Sequence, residues 1–492
     1  ILSRQKNSAM RKAKIVCTIG PASDGAVVLG QLIRSGMDAA RLNFSHGTHD
    51  SHGRAIKTIR DTADRHGVAI AIIQDLQGPR IRVGKIDGVL ELIAGRRVRL
   101  RTMSLRSGGQ IGARTVIAAG TVQDIPVTYQ ALTRDIRPGA KILIDDGLVE
   151  LTADRIVDGA VECTVVAGGR VTSHKGMNLP GTVVSAPTLT EKDREDLRFG
   201  VAQGVDYIAL SFVRGAQDIM AAKELIAECG GDVPVIAKIE RQEAVTDLEA
   251  ILVHADGVMV ARGDLGVELG PEAVPVLQKR IIATANRQRR LVITATQMLE
   301  SMTQHLRPTR AEASDVANAV FDGTDAVMLS AETAVGHYPV EVVQVMDRII
   351  RAAEVETGPC FVRRSQGEQG QDSIPEAISL SAYSAAATIG ASAIVAFSER
   401  GTTARLVSKQ RPVAPIIGLT PFETVRRQMA LYWGVLPHTV PQIPTTDERV
   451  NEAERRLKAE GLARSGQRIV ILSGTRIGQP GGTNLMKLHE VA

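Results

Sequence analysis

The sequence predicts an α/β fold: a TIM-type (β/α)8 barrel with an inserted β-rich lid domain and a C-terminal open α/β domain. Three features carry this expectation. Eight short apolar runs, beginning near Ile15, Ala39, Ile70, Tyr207, Val235, Gly257, Leu291 and Ala326, each end in polar residues. Within the first three and within the last five, the spacing is roughly 22 to 35 residues, the length of one strand-plus-helix unit. Continuous apolar runs mark parallel strands buried on both faces, as a closed barrel requires. The chain between Asp75 and Tyr207 is far longer than one helix needs, and its pattern is that of strands and hairpins. Beyond Gln371, apolar runs alternate with helical stretches in the rhythm of an open sheet.

Residues 1–9 read as an extension, because Met10 shortly precedes the first run. The basic stretch up to Lys14 has no apolar segment of a secretory leader or membrane anchor, and no later run reaches the roughly eighteen apolar residues of a membrane span. The first part of the barrel is expected over 1–78 and the lid over 79–184, with Gly78-Pro79 and Pro180-Gly181 as hinges. In the lid, Arg97 to Arg101 alternates polar and apolar residues. Lys141 to Ile144 and Leu148 to Leu151 flank Asp145-Asp146-Gly147 as a hairpin. Such an insertion is placed to close over the barrel mouth. The barrel resumes over 185–355 and includes the amphipathic stretch Pro339 to Ala353. Polar Arg363 to Gln371 reads as a linker within the 356–492 domain. There Ile394 to Phe397, Ile416 to Leu419 and Ile469 to Leu472 read as strands, and Pro375 to Thr388 and Asn451 to Glu460 as helices.

With 492 residues, 44% of them hydrophobic, the chain has material for several buried cores. Cys17, Cys163, Cys229 and Cys360 form neither a CxxC pair nor a zinc-type cluster, which fits a reducing cytoplasm. The formal net charge is +5, but basic residues are scattered and aromatics are only 3%. The chain therefore lacks the basic stripe and stacking residues of a nucleic-acid binder. A mild positive balance favours small phosphorylated substrates instead.

In such barrels the chemistry gathers at the C-terminal strand ends. The fifth run, Val235 to Glu240, sets Lys238 and Glu240 on one side of an extended strand. The alternative is a buried ion pair between strands, which yields little net stability after desolvation. The sixth run leads into Arg262-Gly263-Asp264, so Glu240 and Asp264 are expected to converge at one rim. Two carboxylates, with positions left for water and substrate oxygens, suit Mg2+ or Mn2+. A general acid–base pair is the competing reading. Lys238 and the glycines beside Asp264 favour a metal together with a phosphate.

The second run ends Arg41-Leu42-Asn43-Phe44-Ser45-His46, with Arg41, Asn43 and Ser45 on one side. A guanidinium grips phosphate in a fixed fork, and with Lys238 and a metal it makes the clamp that phosphoryl transfer needs. Thr296 after the seventh run, and Ser330 and Glu332 after the eighth, are candidates for substrate binding or proton relay, with helix capping the alternative for the hydroxyls. Neither GxxxxGK[ST] nor a protein-kinase loop motif is present, so any nucleotide is held by other means.

Seven segments closely resemble, in order, motifs of the pyruvate kinase family: Lys14 to Pro21, Arg41 to Gly47, Lys238 to Glu240, Met259 to Val267, Thr296 to Met302, Pro308 to Glu312 and Met328 to Thr333. The resemblance implies the same barrel, lid and C-terminal domain. It implies the last ATP-forming step of glycolysis, phosphoenolpyruvate plus ADP giving pyruvate plus ATP. It also implies roles. Glu240 and Asp264 match the Mg2+ ligands, Lys238 the transition-state stabiliser and Arg41 the phosphoryl contact. The backbone at Arg262, Gly263 and Asp264, with Thr296, matches the substrate carboxylate site, Thr296 also being near proton delivery. Asn43, His46, Arg82 and lid residue Lys175 match the nucleotide-binding positions, a second Mg2+ arriving with ADP.

The family's monovalent-cation site matches Asn43, Ser45, Asp75 and Leu76, and here the pattern departs. Leucine replaces a threonine at 76, and Arg80 stands where a nearby glutamate is usual. The Arg80 guanidinium is therefore expected to take the place of K+, which would not be required. In the third domain Ser398-Glu399-Arg400-Gly401-Thr402-Thr403 resembles the effector-phosphate loop, implying a phosphorylated allosteric effector, with ordinary capping as the alternative. The family also implies a cytoplasmic homotetramer. A metal-dependent pyruvate-enolate aldolase or lyase would share Glu240 and Asp264 without needing Lys238, Arg41 and a lid together. A non-catalytic regulator would not need the full charged set.

Overall fold

The computed structural model describes residues 10–102, 122–356, 373–474 and 482–492. The expected extension at 1–9 and the linker Arg363 to Gln371 lie outside the described residues. Eight parallel strands close the barrel: β1 (Lys14–Thr18), β2 (Ala39–Asn43), β3 (Ala71–Asp75), β4 (Tyr207–Leu210), β5 (Val235–Ile239), β6 (Gly257–Ala261), β7 (Leu291–Ala295) and β8 (Ala326–Leu329). They pair in chain order, and β8 returns to β1 with Ala326 opposite Lys14. The apolar runs seen in the sequence are these strands. All but β2 are buried along their whole length, which explains why their residues do not alternate.

Four aspartates fix the register at the barrel foot. Each directly precedes an even-numbered strand and accepts a backbone N–H from the strand before it. Asp38 takes Ile15 at 2.9 Å, Asp206 takes Ile72 at 2.8 Å, Asp256 takes Val235 at 3.0 Å and Asp325 takes Val292 at 2.8 Å. Three of the surrounding helices start on threonine caps. Thr48, Thr190 and Thr309 each form a capping box with the residue three positions on, which satisfies orphan amides at both ends of the pair.

Between β3 and β4 the described residues of the inserted domain form a six-stranded sheet with its own core, including Val98, Leu100, Ile142, Leu151 and Val161. The expected hairpin pairs Lys141–Ile144 with Val149–Val157, and its turn places Asp145 at φ 55, Asp146 at φ 54 and Gly147 at φ 89. The C-terminal domain is a five-stranded sheet in the order Val435–Thr439, Ile416–Thr420, Ala393–Phe397, Arg468–Gly474, Thr483–Glu490. Its first four strands are parallel and the last is antiparallel, an edge addition absent from the sequence expectation.

This domain seals the foot of the barrel. Interior residues Tyr207, Leu291 and Ala326 share one core with Met429, Leu431 and Tyr432. Lys14 Nζ donates to the carbonyl of Val435 and the Tyr207 hydroxyl to that of Gln428, both at 2.8 Å. Asp325 pairs with Lys409 and, at 2.8 Å, with Arg411. The opposite rim, at the C-terminal strand ends beneath the lid, is left for chemistry.

Candidate active site

At that rim the ends of β2, β3, β4 and β5 deliver one connected group of charges. Asp75, at the end of β3, is 1% exposed and receives Arg41 Nε from β2 at 2.6 Å and Lys238 Nζ from β5 at 3.2 Å. Arg41 also donates to Thr18 Oγ1 at 3.1 Å. Lys238 reaches Ser211 Oγ at 2.7 Å and lies 3.0 Å from Glu240 Oε1. The carboxylate's other oxygen, Oε2, accepts the N–H of Phe212 at 2.7 Å. The ion pair weighed as an alternative at the sequence level is present, as part of a larger cluster.

Burial and charge compete across this cluster. Desolvation alone would raise the Asp75 carboxyl, but Lys238 and Arg41 overcome it and hold it below the usual range. Desolvation alone would lower Lys238, but Asp75 and Glu240 overcome it and raise the ammonium, so it stays charged. Glu240 goes the other way. Burial raises it, Lys238 opposes, and Asp264 adds to the rise. Glu240 and Asp264 line a common cavity with Arg80, Asp146, Phe212, Arg214, Arg241 and Glu268. Asp264 stands in the first turn of the helix Arg262–Leu269, since β6 stops at Ala261.

The neighbouring turn is held in an unusual conformation. Thr296 and Gln297 have φ of 67 and 52, left-handed values that cost non-glycine residues energy and cluster at functional sites. Arg262 holds them. Its guanidinium donates to the carbonyls of Ala295, Thr296 and Gln297 and pairs with Asp315 at 2.6 Å. Only the backbone of Arg262 is therefore turned to the rim. Thr296 Oγ1 accepts the N–H of Gly263 at 2.9 Å.

Ser330 follows β8 with its hydroxyl buried and unpartnered among the described residues. Glu332 is 1% exposed, and its two oxygens accept the amides of Leu299 at 3.2 Å and Ser330 at 2.6 Å, which makes it a tie between the loops after β7 and β8. Asn43 Oδ1 accepts the amide of Ser45 at 3.1 Å. His46 is exposed beside Arg80, Arg82 and Arg41; burial first, then these cations, lowers its pKa. Arg82 donates to the carbonyl of His174 at 3.1 Å, and Lys175 pairs with Asp145 of the lid hairpin at 2.8 Å. Leu76 turns its side chain into the barrel core and offers its carbonyl to Ser211 Oγ at 2.7 Å.

The loop Ser398–Thr403 borders a separate cavity of the C-terminal domain, lined also by Arg449 and Gly474. Ser398 Oγ accepts the amide of Thr403 at 3.3 Å, Gly401 has φ 75, and Thr403 Oγ1 meets Thr483 Oγ1 at 2.6 Å. Arg400 and Thr402 line the same cavity.

Fold and site together define a (β/α)8-barrel enzyme of charged, oxygen-rich small substrates, with a lid domain over a rim of buried cations and carboxylates. The family model for the pyruvate kinase barrel domain matches residues 10–343, and that for the pyruvate kinase alpha/beta domain matches 376–489. Pyruvate kinase 2 of Synechocystis sp. is 47% identical over 491 residues, covering 99% of this chain and 80% of that protein. The pyruvate kinase of Geobacillus stearothermophilus is 45% identical over 486 residues, 98% of this chain and 81% of that one. A crystal structure of a pyruvate kinase from Cryptosporidium parvum superposes with a TM-score of 0.89 at 36% identity, covering 98% of this chain and 96% of its own. The chain belongs to the pyruvate kinase family and is a phosphotransferase. Among the described residues no helix is long and apolar enough to cross a membrane.

Proposed function

We propose that this rim transfers the phosphoryl group of phosphoenolpyruvate to ADP and that it does so without K+. The observation that carries the reading is Lys238: a buried ammonium kept charged between Asp75 and Glu240 at the strand ends. Such a charge, fixed before the reaction, stabilises the transferring phosphoryl oxygens without reorganisation. Arg41, anchored by Asp75 and Thr18, is the second contact to that group. The enolate left behind takes up a proton on the side of Thr296, with Ser330 as a relay candidate.

The donor set fits a hard divalent ion. Glu240 Oε1 is buried and receives no aligned hydrogen bond, although Lys238 Nζ is within ion-pair distance. Asp264 lines the same cavity. Among the described residues no three His, Cys, Asp or Glu side chains gather as a metal cage. Two carboxylates, with substrate oxygens and water for the rest, are what Mg2+ or Mn2+ accepts. Glu240 and Asp264 would hold the ion, which would supply positive charge to the substrate's oxygens. The turn at Gly263 and Asp264, tied to Thr296 Oγ1 through the Gly263 amide, borders the place of the substrate carboxylate, with the Asp264 amide at the helix start to orient it. Asn43, His46, Arg82 and Lys175 receive the nucleotide phosphates.

Three of the four groups matched to a monovalent-cation site are already engaged. Both Asp75 oxygens face cations, the Leu76 carbonyl accepts Ser211, and Asn43 Oδ1 accepts Ser45. Arg80 is exposed, lines the cavity of Glu240 and Asp264, and makes no side-chain ion pair or hydrogen bond among the described residues. Its guanidinium supplies the missing positive charge. ADP-dependent pyruvate formation with Mg2+ in K+-free buffer, repeated with added K+, tests both parts. Full activity without K+ supports them; activity only with K+ removes the Arg80 role; no pyruvate in either removes the kinase reading.

The C-terminal cavity at Ser398, Arg400, Gly401, Thr402 and Thr403 is proposed to take a phosphorylated effector. The described cysteines are free, two of them buried, which suits a cytoplasmic enzyme. The assembly proposed from the family is a homotetramer, checked by sedimentation.

A further inference from the structure

We propose that the Ser211–Phe212 corner is the positioning element that seats both Lys238 and Glu240. This rests on the phosphoryl-transfer reading above. The corner follows β4, and Ser211 is 2% exposed. Its hydroxyl donates to the Leu76 carbonyl at 2.7 Å, which turns its lone pairs toward Lys238 Nζ, also at 2.7 Å. One hydrogen bond thus fixes the rotamer of the other. The next residue, Phe212, has φ 54, a left-handed conformation that bulky residues avoid unless the surroundings enforce it.

That conformation has a consequence for the carboxylate: it aims the Phe212 amide at Glu240 Oε2, 2.7 Å away. With Oε2 held, Oε1 is the oxygen left without an aligned hydrogen bond, beside Lys238 Nζ. Packing enforces the corner. At Gly78, φ 70, a Cβ would lie 2.7 Å from the Phe212 ring and 3.0 Å from Ser211 Cβ, so backbone at the lid hinge presses directly on it. Phe212 borders the cavity of Glu240 and Asp264, and its hold on the site runs through its backbone amide, while Ser211 is buried behind Lys238. They act through Lys238 and Glu240.

The test is Ser211→Ala in the full-length chain, with Ser211→Cys as a variant of similar shape whose sulfur accepts hydrogen bonds only weakly. Loss of an acceptor for a charged donor predicts kcat about 10-fold or more lower with KM for phosphoenolpyruvate changed less than about threefold. Mn2+ affinity, read by electron paramagnetic resonance without turnover, stays within about threefold of the parent, since the Phe212 amide is untouched. Parent-like kcat in both variants, or a rise in KM as large as the fall in kcat, overturns the proposal. So does a loss of Mn2+ binding as large as the loss of kcat. Absence of pyruvate formation by the parent chain would instead remove the underlying reading.

Discussion

Replacing Asp75 by Asn probes the charge cluster most deeply. Asp75 faces two cations, and the relevant side chains are 1% exposed for Asp75, 12% for Arg41 and 9% for Lys238. Solvent screening is therefore slight. Removing one partner of a buried ion pair costs about 3–5 kcal/mol, because the remaining charge stays buried without compensation. Asparagine keeps one acceptor oxygen, so the lower end, about 3 kcal/mol, is expected. For a barrel-sized domain this corresponds to a fall of about 6–12 °C in apparent Tm.

The pH dependence follows from the direction of the shift. The folded-state pKa of Asp75 is depressed by Lys238 and Arg41 against the pull of burial. Its stabilisation is therefore present above the ordinary carboxylate value, about 3.9, and fades as pH falls through the folded-state value. Scanning calorimetry of both proteins from about pH 5 to 8 should give a constant gap in Tm, since the carboxylate stays ionised throughout. A gap below about 2 °C, or one that widens as the pH falls toward 5, would refute the reasoning.

Three further outcomes are expected. Lys238→Met should lower kcat by about 100-fold or more while Mn2+ still binds, the signature of a lost transition-state charge. Arg80→Glu should cut activity in K+-free buffer about 10-fold, with partial recovery on adding K+; unchanged activity would show that Arg80 carries no such role. Arg262→Lys should destabilise by about 2–4 kcal/mol and lower kcat, since one ammonium cannot replace a fork that holds three carbonyls and Asp315; a melt at the parent temperature would contradict this.

The strands were legible because burial on both faces leaves little choice but apolar residues, and their ends followed from that. Lys238 and Glu240 stood out because charges at such positions are costly without a purpose. The lid hairpin was legible from Asp145-Asp146-Gly147, whose left-handed turn that sequence tolerates. Other features had no local signal. Ser211 and Phe212 look like the ordinary end of an apolar run, and only the closed barrel brings them against Leu76, Lys238 and Glu240. Arg262 enters the sequence reading through its backbone alone, and nothing local shows that its guanidinium grips the next strand's turn. The aspartates at the barrel foot carry a weak cue, each standing directly before a strand. Their partners lie on the preceding strand, and at Asp206 and Asp325 also in the C-terminal domain, beyond any local pattern.

Phosphorus NMR of the purified chain with phosphoenolpyruvate, ADP and Mg2+ tests the central claim most directly. The account predicts that the γ-phosphate resonance of ATP grows one for one as phosphoenolpyruvate disappears. Inorganic phosphate in its place, or no change at all, would contradict it.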